Sequence, residues 1–219
     1  MTSIAIVDYG MGNRRSVEKA LEHVGARVRI TRDPTELEAA DAIVVPGVGA
    51  FPQGMRNLID LGLDERIRAI AGAGTPVLGI CLGMQLLFER SQEHELTEGL
   101  GLLAGEVSGL DASGLRIPHI GWNDVRFEHP SPLTAGLPKA GCAFYHVHSL
   151  AARPEDRDDV IATTEYGERF ATIVGHGNVF GVQFHPEKSS RDGLALLANF
   201  VALSRGGRGV GIGTAWATE

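Results

Sequence analysis

The chain has 219 residues and a formal net charge of −7 at pH 7, and 43% of its residues are hydrophobic. An acidic chain offers no broad positive field to phosphate backbones, which argues against a nucleic-acid partner. Two cysteines do not make a disulfide framework, and the first residues lack the basic and apolar segments of a secretion signal. No apolar run is long enough to cross a membrane. We therefore expect a globular protein of the cytoplasm that acts on small molecules.

Short apolar runs alternate with amphipathic stretches through the first half of the chain. This order predicts βαβα units, and hence an α/β fold with a mostly parallel, doubly wound sheet and helices on both faces. The predicted strands are residues 4–7, 27–30, 42–45 and 77–80, and the amphipathic, helix-like stretches are residues 16–24, 58–71 and 84–89.

From about residue 105 onward, short strand-like runs replace this alternation, and antiparallel strands are expected to extend the sheet. These runs are residues 106–110, 125–127, 143–147, 160–164, 171–174 and 179–184. Residues 193–203 follow the spacing of a closing amphipathic helix. We interpret residues 1–204 as one domain and the glycine-rich residues 205–219 as a flexible tail.

Cys81 lies between two glycines at the point where an apolar strand-like run becomes a helix-like run. The spacing Gly79-x-Cys81-x-Gly83 is typical of a nucleophile elbow, a sharp turn that exposes the nucleophile at the start of a helix. The helix N-terminus favours a thiolate, and the N–H of Leu82 is a candidate donor to a developing oxyanion. We therefore predict that Cys81 is a nucleophile.

A cysteine nucleophile needs a base and a group that orients the base. His185 and Glu187 end an apolar run and are separated by Pro186. Because the residue before a proline favours extended backbone, we expect both side chains to project from the same face of a strand. The sequence thus predicts a triad of Cys81, His185 and Glu187.

A second glycine-containing loop follows the predicted strand at residues 42–45. In an open parallel sheet this loop lies at the same edge as the elbow. Its glycines allow backbone N–H groups to approach a substrate closely, so Val48 and Gly49 are candidate oxyanion donors beside Leu82.

Residues 79–85 and 183–187 resemble the motifs of class I, or triad, glutamine amidotransferases. Within that class the chain is similar to the glutaminase subunits of imidazole glycerol phosphate synthases. The segments that carry this narrower resemblance are residues 8–13, 46–51, 99–103, 118–123, 147–149 and 188–189. The resemblance spans about residues 4–203, in the order and spacing of the family.

The resemblance implies a glutaminase of histidine biosynthesis that forms a thioester on Cys81, releases glutamate and passes ammonia to a partner. That partner would be a (β/α)₈-barrel cyclase subunit in a heterodimer, and the resemblance implies no cofactor and no metal. Three residues match positions that bind glutamine, namely Gln85, Ser149 and Leu150. Four others fall in segments that face the cyclase, namely Asn13, Trp122, Tyr145 and Lys188.

The chain departs from the family pattern at Arg14, Arg15, His146 and Leu150, all outside the predicted triad. Three rival interpretations are another triad amidotransferase, a non-catalytic homologue that only binds a partner, and a cysteine peptidase. The segments at residues 46–51 and 118–123 argue against the first, and an intact triad argues against the second. The specific resemblance to the glutaminase subunits argues against a cysteine peptidase.

Overall fold

The computed structural model describes residues 1–206. Of the predicted tail, residues 207–219 lie outside the described residues, and residues 205 and 206 belong to a 3₁₀ turn, Ser204–Gly206. Within residues 1–206, no helix combines the length and apolar character that a membrane crossing requires.

The strands of the described chain form a single mixed sheet, which confirms the predicted α/β fold. Their bounds are β1 Ser3–Val7, β2 Arg27–Thr31, β3 Ala42–Gly47, β4 Val77–Cys81, β5 Phe88–Ser91, β6 Thr97–Glu98, β7 Leu103–Gly109, β8 His119–Phe127, β9 Cys142–His148, β10 Leu150–Pro154, β11 Val160–Tyr166, β12 Glu168–His176 and β13 Val179–Val182. The main path runs β2-β1-β3-β4-β13-β12-β10-β7-β5-β6. Its first five strands are parallel, and antiparallel pairs extend the sheet from β13 onward, as expected, apart from the parallel pair of β7 and β5.

A branch of the sheet carries β8 and β9. β11 pairs with both β12 and β8, and β8 pairs antiparallel with β9. Residues 119–123 therefore lie on this branch and not on the main path of strands.

Six α-helices among the described residues accompany the sheet. They are α1 Arg14–His23, α2 Pro34–Ala39, α3 Phe51–Asp60, α4 Leu63–Gly72, α5 Leu82–Leu86 and α6 Ser190–Leu203. The closing helix is thus confirmed, with three more residues at its start than the apolar spacing indicated.

Buried side chains form two large clusters, one on each face of the parallel strands. Along β1, Ile4 and Ile6 belong to one cluster and Ala5 and Val7 to the other. A strand buried on both faces shows a continuous apolar run, which is the pattern seen in the sequence. The sheet is therefore covered on both sides, as the βαβα order predicts.

The structure corrects the predicted elements in three places. The amphipathic stretch at 58–71 is two helices, because Gly62 adopts a left-handed φ of 63° that ends the first and begins the second. The elbow helix ends at Leu86, and Phe88 starts a strand. The short helix α2 was missed, although Asp33 caps it by accepting hydrogen bonds from two of its N–H groups.

The parallel strands β3, β4 and β13 end at the same edge of the sheet. Gly47 of β3 pairs with Cys81 of β4, and Val182 of β13 pairs with Ile80 of β4. The loop after β3, the turn after β4 and the segment after β13 therefore meet at this edge, where ligands of open α/β sheets bind.

Candidate active site

Cys81 occupies a strained turn between β4 and α5. Its backbone has φ 55° and ψ −112°, a conformation that residues with a side chain rarely adopt. A Cβ at Gly83 would lie 1.7 Å from the carbonyl oxygen of Val45, and a Cβ at Gly79 would lie 2.6 Å from that of Gly83. The two glycines therefore permit the close approach of α5 to the sheet, which gives the turn the geometry of a nucleophile elbow.

His185 and Glu187 contact one another directly. Nδ1 of His185 lies 2.9 Å from Oε1 of Glu187, and the two side chains are only 4% and 1% exposed. His185 itself is extended, as expected before a proline, but the strand geometry expected for the pair was wrong, because β13 ends at Val182 and Pro186–Lys188 forms a 3₁₀ turn. The turn brings the carboxylate of Glu187 back to the imidazole of His185, the residue just before the turn.

The second ring nitrogen of His185 is available to Cys81, because Glu187 holds Nδ1. Burial favours the neutral imidazole, but hydrogen bonding with Cys81 and Glu187 and their charges outweigh it and raise the pKa of His185 to about 9. At neutral pH this favours the imidazolium form of His185. The side-chain amide of Gln183 also donates toward Sγ of Cys81 at 3.9 Å.

The loop between β3 and α3 is fixed at both ends. The hydroxyl of Tyr9 donates to the carbonyl oxygen of Pro46 at 2.6 Å, and the N–H of Phe51 donates to Oε2 of Glu93 at 2.6 Å. Among the described residues, no hydrogen bond uses the N–H of Val48 or Gly49. Both groups therefore remain available as donors next to Cys81.

A cavity of about 270 Å³ lies at this edge of the sheet. Its walls include most of the predicted site residues, namely Val48, Gly49, Cys81, Leu82, Gln85, Ser149, Leu150, His185 and Lys188. Glu187 lies behind His185 and is not part of the walls. The structure thus brings the candidate nucleophile, oxyanion donors and glutamine-binding residues to one cavity.

Gln85 is fixed by two acceptors at the base of this cavity. Its Nε2 donates to Oε1 of Gln183 at 3.0 Å and to the carbonyl oxygen of Leu150 at 3.4 Å. Both N–H groups of the amide are therefore used within the protein, and its Oε1 is left to accept a hydrogen bond from a ligand.

Four further residues line the cavity and were not predicted as site residues: Glu93, Pro118, Val147 and His148. Glu93 is the cavity-lining carboxylate outside the triad, so it is the natural partner for a ligand's ammonium group. It lies in a turn after β5, where no sequence pattern distinguishes it from a surface acid. Pro118, Val147 and His148 fall in segments that carry the family resemblance, and that resemblance could have identified them as site residues.

The four residues predicted to face a partner are not all at the cavity. Trp122 is 54% exposed and lies edge-on to Tyr145, with ring centroids 6.2 Å apart on the paired strands β8 and β9. Asn13 is exposed just before α1, and Lys188 is exposed at the cavity. An exposed tryptophan on a strand face is typical of a protein interface.

The departures from the family pattern have structural roles of their own. Arg14 forms an ion pair with Asp8, and Arg15 with Glu18 at 2.7 Å. His146 is fully buried, where its Nε2 lies 2.9 Å from the hydroxyl oxygen of Thr172. None of these three residues lines the cavity.

Comparison with known proteins agrees with this geometry. The family model for class I glutamine amidotransferases matches residues 5–203. The chain belongs to the class I glutamine amidotransferase family. It is 53% identical over 205 residues to the imidazole glycerol phosphate synthase subunit HisH of Moorella thermoacetica, covering 94% of this chain and 97% of the relative. The HisH subunit of Symbiobacterium thermophilum is 50% identical over 200 residues, covering 91% of this chain and 93% of the relative.

Solved structures of class I amidotransferases share the fold. A crystal structure of a glutamine amidotransferase superposes with a TM-score of 0.73 at 22% identity, covering 92% of this chain and 98% of the other. The PurLQS structure from Thermotoga maritima gives a TM-score of 0.74 at 22% identity, with the same coverage. At this identity the likeness concerns the fold alone.

Proposed function

We propose that the chain is the glutaminase subunit of an imidazole glycerol phosphate synthase and hydrolyses glutamine to glutamate and ammonia in the cytoplasm. The observation that carries the proposal is that Cys81 and His185 line one cavity while Glu187, behind the cavity wall, holds Nδ1 of the His185 imidazole. Relatives named HisH, at 50% identity or more over nine-tenths of the chain, support the choice of synthase. Residues 1–204 would form the whole catalytic domain.

In the first half-reaction, the thiolate of Cys81 attacks the side-chain carbonyl carbon of glutamine. The N–H groups of Leu82, Val48 and Gly49 would stabilise the oxyanion of the tetrahedral intermediate. The imidazolium of His185 donates its proton to the departing nitrogen, so ammonia leaves and a γ-glutamyl thioester remains.

In the second half-reaction, neutral His185 removes a proton from water as the water attacks the thioester. The C–S bond then breaks, glutamate leaves, and the thiolate and imidazolium are restored. Glu187 orients the imidazole through Nδ1 and stabilises its charged form in both steps.

The cavity walls suggest how glutamine is held. Oε1 of Gln85 and the carboxylate of Glu93 are suited to the substrate ammonium, while backbone groups near Ser149 and Leu150 would hold its carboxylate end. This arrangement would place the reactive amide toward Cys81.

The ammonia acceptor would be a (β/α)₈-barrel cyclase subunit in a heterodimer with this chain. Trp122 and Tyr145 supply an exposed aromatic pair, and Lys188 and Asn13 supply polar groups, for that interface. A wet or open interface would release ammonia to solvent, so we expect the partner to cover the cavity.

The experiment that tests the function is a glutaminase assay of the chain alone and with the synthase partner that co-purifies with it. We expect glutamate to form in the complex, with Cys81→Ala abolishing it while the variant still binds the partner. A glutamine-like alkylating agent should modify Cys81, located by peptide mass analysis. Turnover by Cys81→Ala would exclude the mechanism, and an unmodified thiol in an inactive complex would favour a non-catalytic homologue.

A further inference from the structure

Three buried histidines form a cluster on the paired strands β8 and β9, beside the cavity. His119, His146 and His148 are at most 6% exposed, and His119 and His148 are directly paired across the two strands. Buried imidazoles are costly unless both ring nitrogens are hydrogen-bonded. The hydrogen-bond partners of these rings therefore determine which ring nitrogens donate and which accept.

The hydrogen bonds of two of these rings run in one direction only. A carbonyl oxygen can only accept, so Nδ1 of His148 donates to Leu150 at 2.7 Å, and in the neutral ring Nε2 is then an acceptor. Nδ1 of His119 therefore donates to that Nε2 at 2.9 Å. The Nε2 of His119 in turn accepts from the side-chain amide of Asn123 at 3.2 Å.

The outer end and the middle ring of this chain of bonds are fixed by the fold. The amide nitrogen of Asn123 also donates to the carbonyl oxygen of Glu165 at 2.9 Å, which sets the orientation of the amide. His119 is stacked against His146 and against Tyr166, with ring centroids 5.0 and 4.0 Å away. The ring of His119 therefore cannot turn without losing both stacking contacts.

The surroundings keep the two rings neutral, which the chain of bonds requires. Burial lowers the pKa of His119, and burial is the main cause that lowers the pKa of His148 to about 4. A proton added to Nε2 of His148 would face the N–H of His119 and break the link between them. At neutral pH the chain of bonds is therefore intact.

The chain of bonds connects two functional regions. Its inner end is the carbonyl oxygen of Leu150, which also accepts the amide of Gln85. Its outer end is Asn123, the neighbour of the exposed Trp122 on β8. A displacement of β8 would therefore be transmitted to the acceptor that holds Gln85.

We propose that Asn123, His119 and His148 are positioning residues that form a one-directional hydrogen-bond relay from the exposed face of β8 to the carbonyl of Leu150. The relay sets the position of the Gln85 amide and hence the affinity of the cavity for glutamine. This role in substrate binding rests on the proposed glutaminase function, whereas the relay itself does not.

The relay is tested without any activity measurement by ¹⁵N NMR of the histidine side chains in the intact protein. The tautomer of each ring follows from the shifts of its two nitrogens. We expect His119 and His148 both to be neutral with the proton on Nδ1 at pH 7. A proton on Nε2 of either ring, or a charged ring, would overturn the proposal.

The positioning role is tested by glutamine kinetics of the complex with the partner subunit. Asparagine carries an amide nitrogen near the place of Nδ1 of histidine, so His119→Asn keeps the donor to His148, whereas His119→Leu removes it. We expect His119→Leu to raise KM for glutamine about tenfold, the equivalent of one well-placed hydrogen bond, with little change in kcat. His119→Asn keeps this donor but loses the acceptor for Asn123, so its KM should lie between those of the wild type and His119→Leu.

Thr172→Val is the matched control for a general loss of packing. It removes the hydroxyl that donates to His146 in the same buried cluster but leaves the relay intact. We expect its KM to match that of the wild type, with a thermal midpoint lowered as in His119→Leu. Equal KM values for His119→Leu and His119→Asn, or a KM effect in Thr172→Val as large as in His119→Leu, would overturn the positioning role.

The proposed glutaminase function and the positioning role of the relay are contradicted by different results. A wild-type complex without glutaminase activity contradicts the proposed function, while the NMR result still decides whether the relay exists. An active wild-type complex with an unchanged KM in His119→Leu contradicts the positioning role alone.

Discussion

Nδ1 of His185 lies 2.9 Å from Oε1 of Glu187 in a pair that is shielded from solvent. The contact is made by a 3₁₀ turn of three residues, so the orienting carboxylate and the base are held by a single local structure. The other carboxylate oxygen, Oε2, is buried without a hydrogen-bond partner among the described residues. The negative charge of Glu187 is therefore directed almost entirely at one imidazole.

We expect Glu187→Gln to lower kcat for glutamine about 10²- to 10⁴-fold, because the amide neither fixes the tautomer of His185 nor stabilises its charged form. KM should change little, since Glu187 does not line the cavity. Steady-state kinetics of the complex measures both constants. Asp159→Asn is the matched control, because it alters a second histidine–carboxylate pair, with His176 at 2.9 Å, away from the cavity.

The same pair should make stability depend on pH. The folded pKa of His185 is about 9, above the ordinary value, so its stabilising contribution is complete below about pH 6.5 and is lost as the pH rises through 9. Cys81 is the larger cause of the raised pKa of His185 and remains in Glu187→Gln, so we expect the free energy of unfolding of the wild type to fall between pH 6.5 and 9.5 by about 1 kcal/mol more than that of the variant. Denaturant titrations at the two pH values measure this difference, and parallel losses in both proteins would contradict it.

Local sequence signals were enough to predict the parallel half of the sheet and the elbow. The βαβα alternation and the spacing of Gly79, Cys81 and Gly83 are determined by neighbours in the chain, and the paired positions of His185 and Glu187 are equally local. Their contact could be expected even though the predicted backbone was wrong, since two residues at i and i+2 can meet through a turn as well as along a strand.

Contacts between distant segments could not be predicted in this way. His119 and His148 are 29 residues apart, and they meet only because β8 and β9 pair in one particular antiparallel register. Glu93 reaches the cavity from a turn after the short strand β5, which itself follows an unexpectedly short elbow helix. Register and turn geometry depend on packing across the whole sheet, which no single segment encodes.

Substitution of the elbow glycine Gly83 tests the close packing of α5 against the sheet. In Gly83→Ala the new methyl group would overlap the carbonyl oxygen of Val45, a backbone atom of the sheet, so α5 must shift. We expect a loss of about 3 kcal/mol or more in unfolding free energy, together with loss of activity. Gly72→Ala is the control: no atom lies within 4 Å of its added Cβ at the end of α4. It should leave activity unchanged and raise stability by up to about 1 kcal/mol.

Trp122 gives the test of the partner-facing surface. The Trp122 side chain is 54% exposed on β8 and lies beside Tyr145 of the antiparallel strand β9. Truncation of Trp122 should therefore weaken binding of the partner and leave the stability of the fold nearly unchanged. We expect Trp122→Ala to raise the dissociation constant for the partner subunit about 30-fold, or about 2 kcal/mol, with the unfolding free energy changed by less than about 0.5 kcal/mol. Ile59→Ala is the control, since Ile59 is 57% exposed near the end of α3 and does not line the cavity. Isothermal calorimetry compares the two variants. Equal affinities for Trp122→Ala and Ile59→Ala would mean that the partner docks elsewhere, because both substitutions remove a similarly exposed apolar side chain, one from β8 and the other from α3.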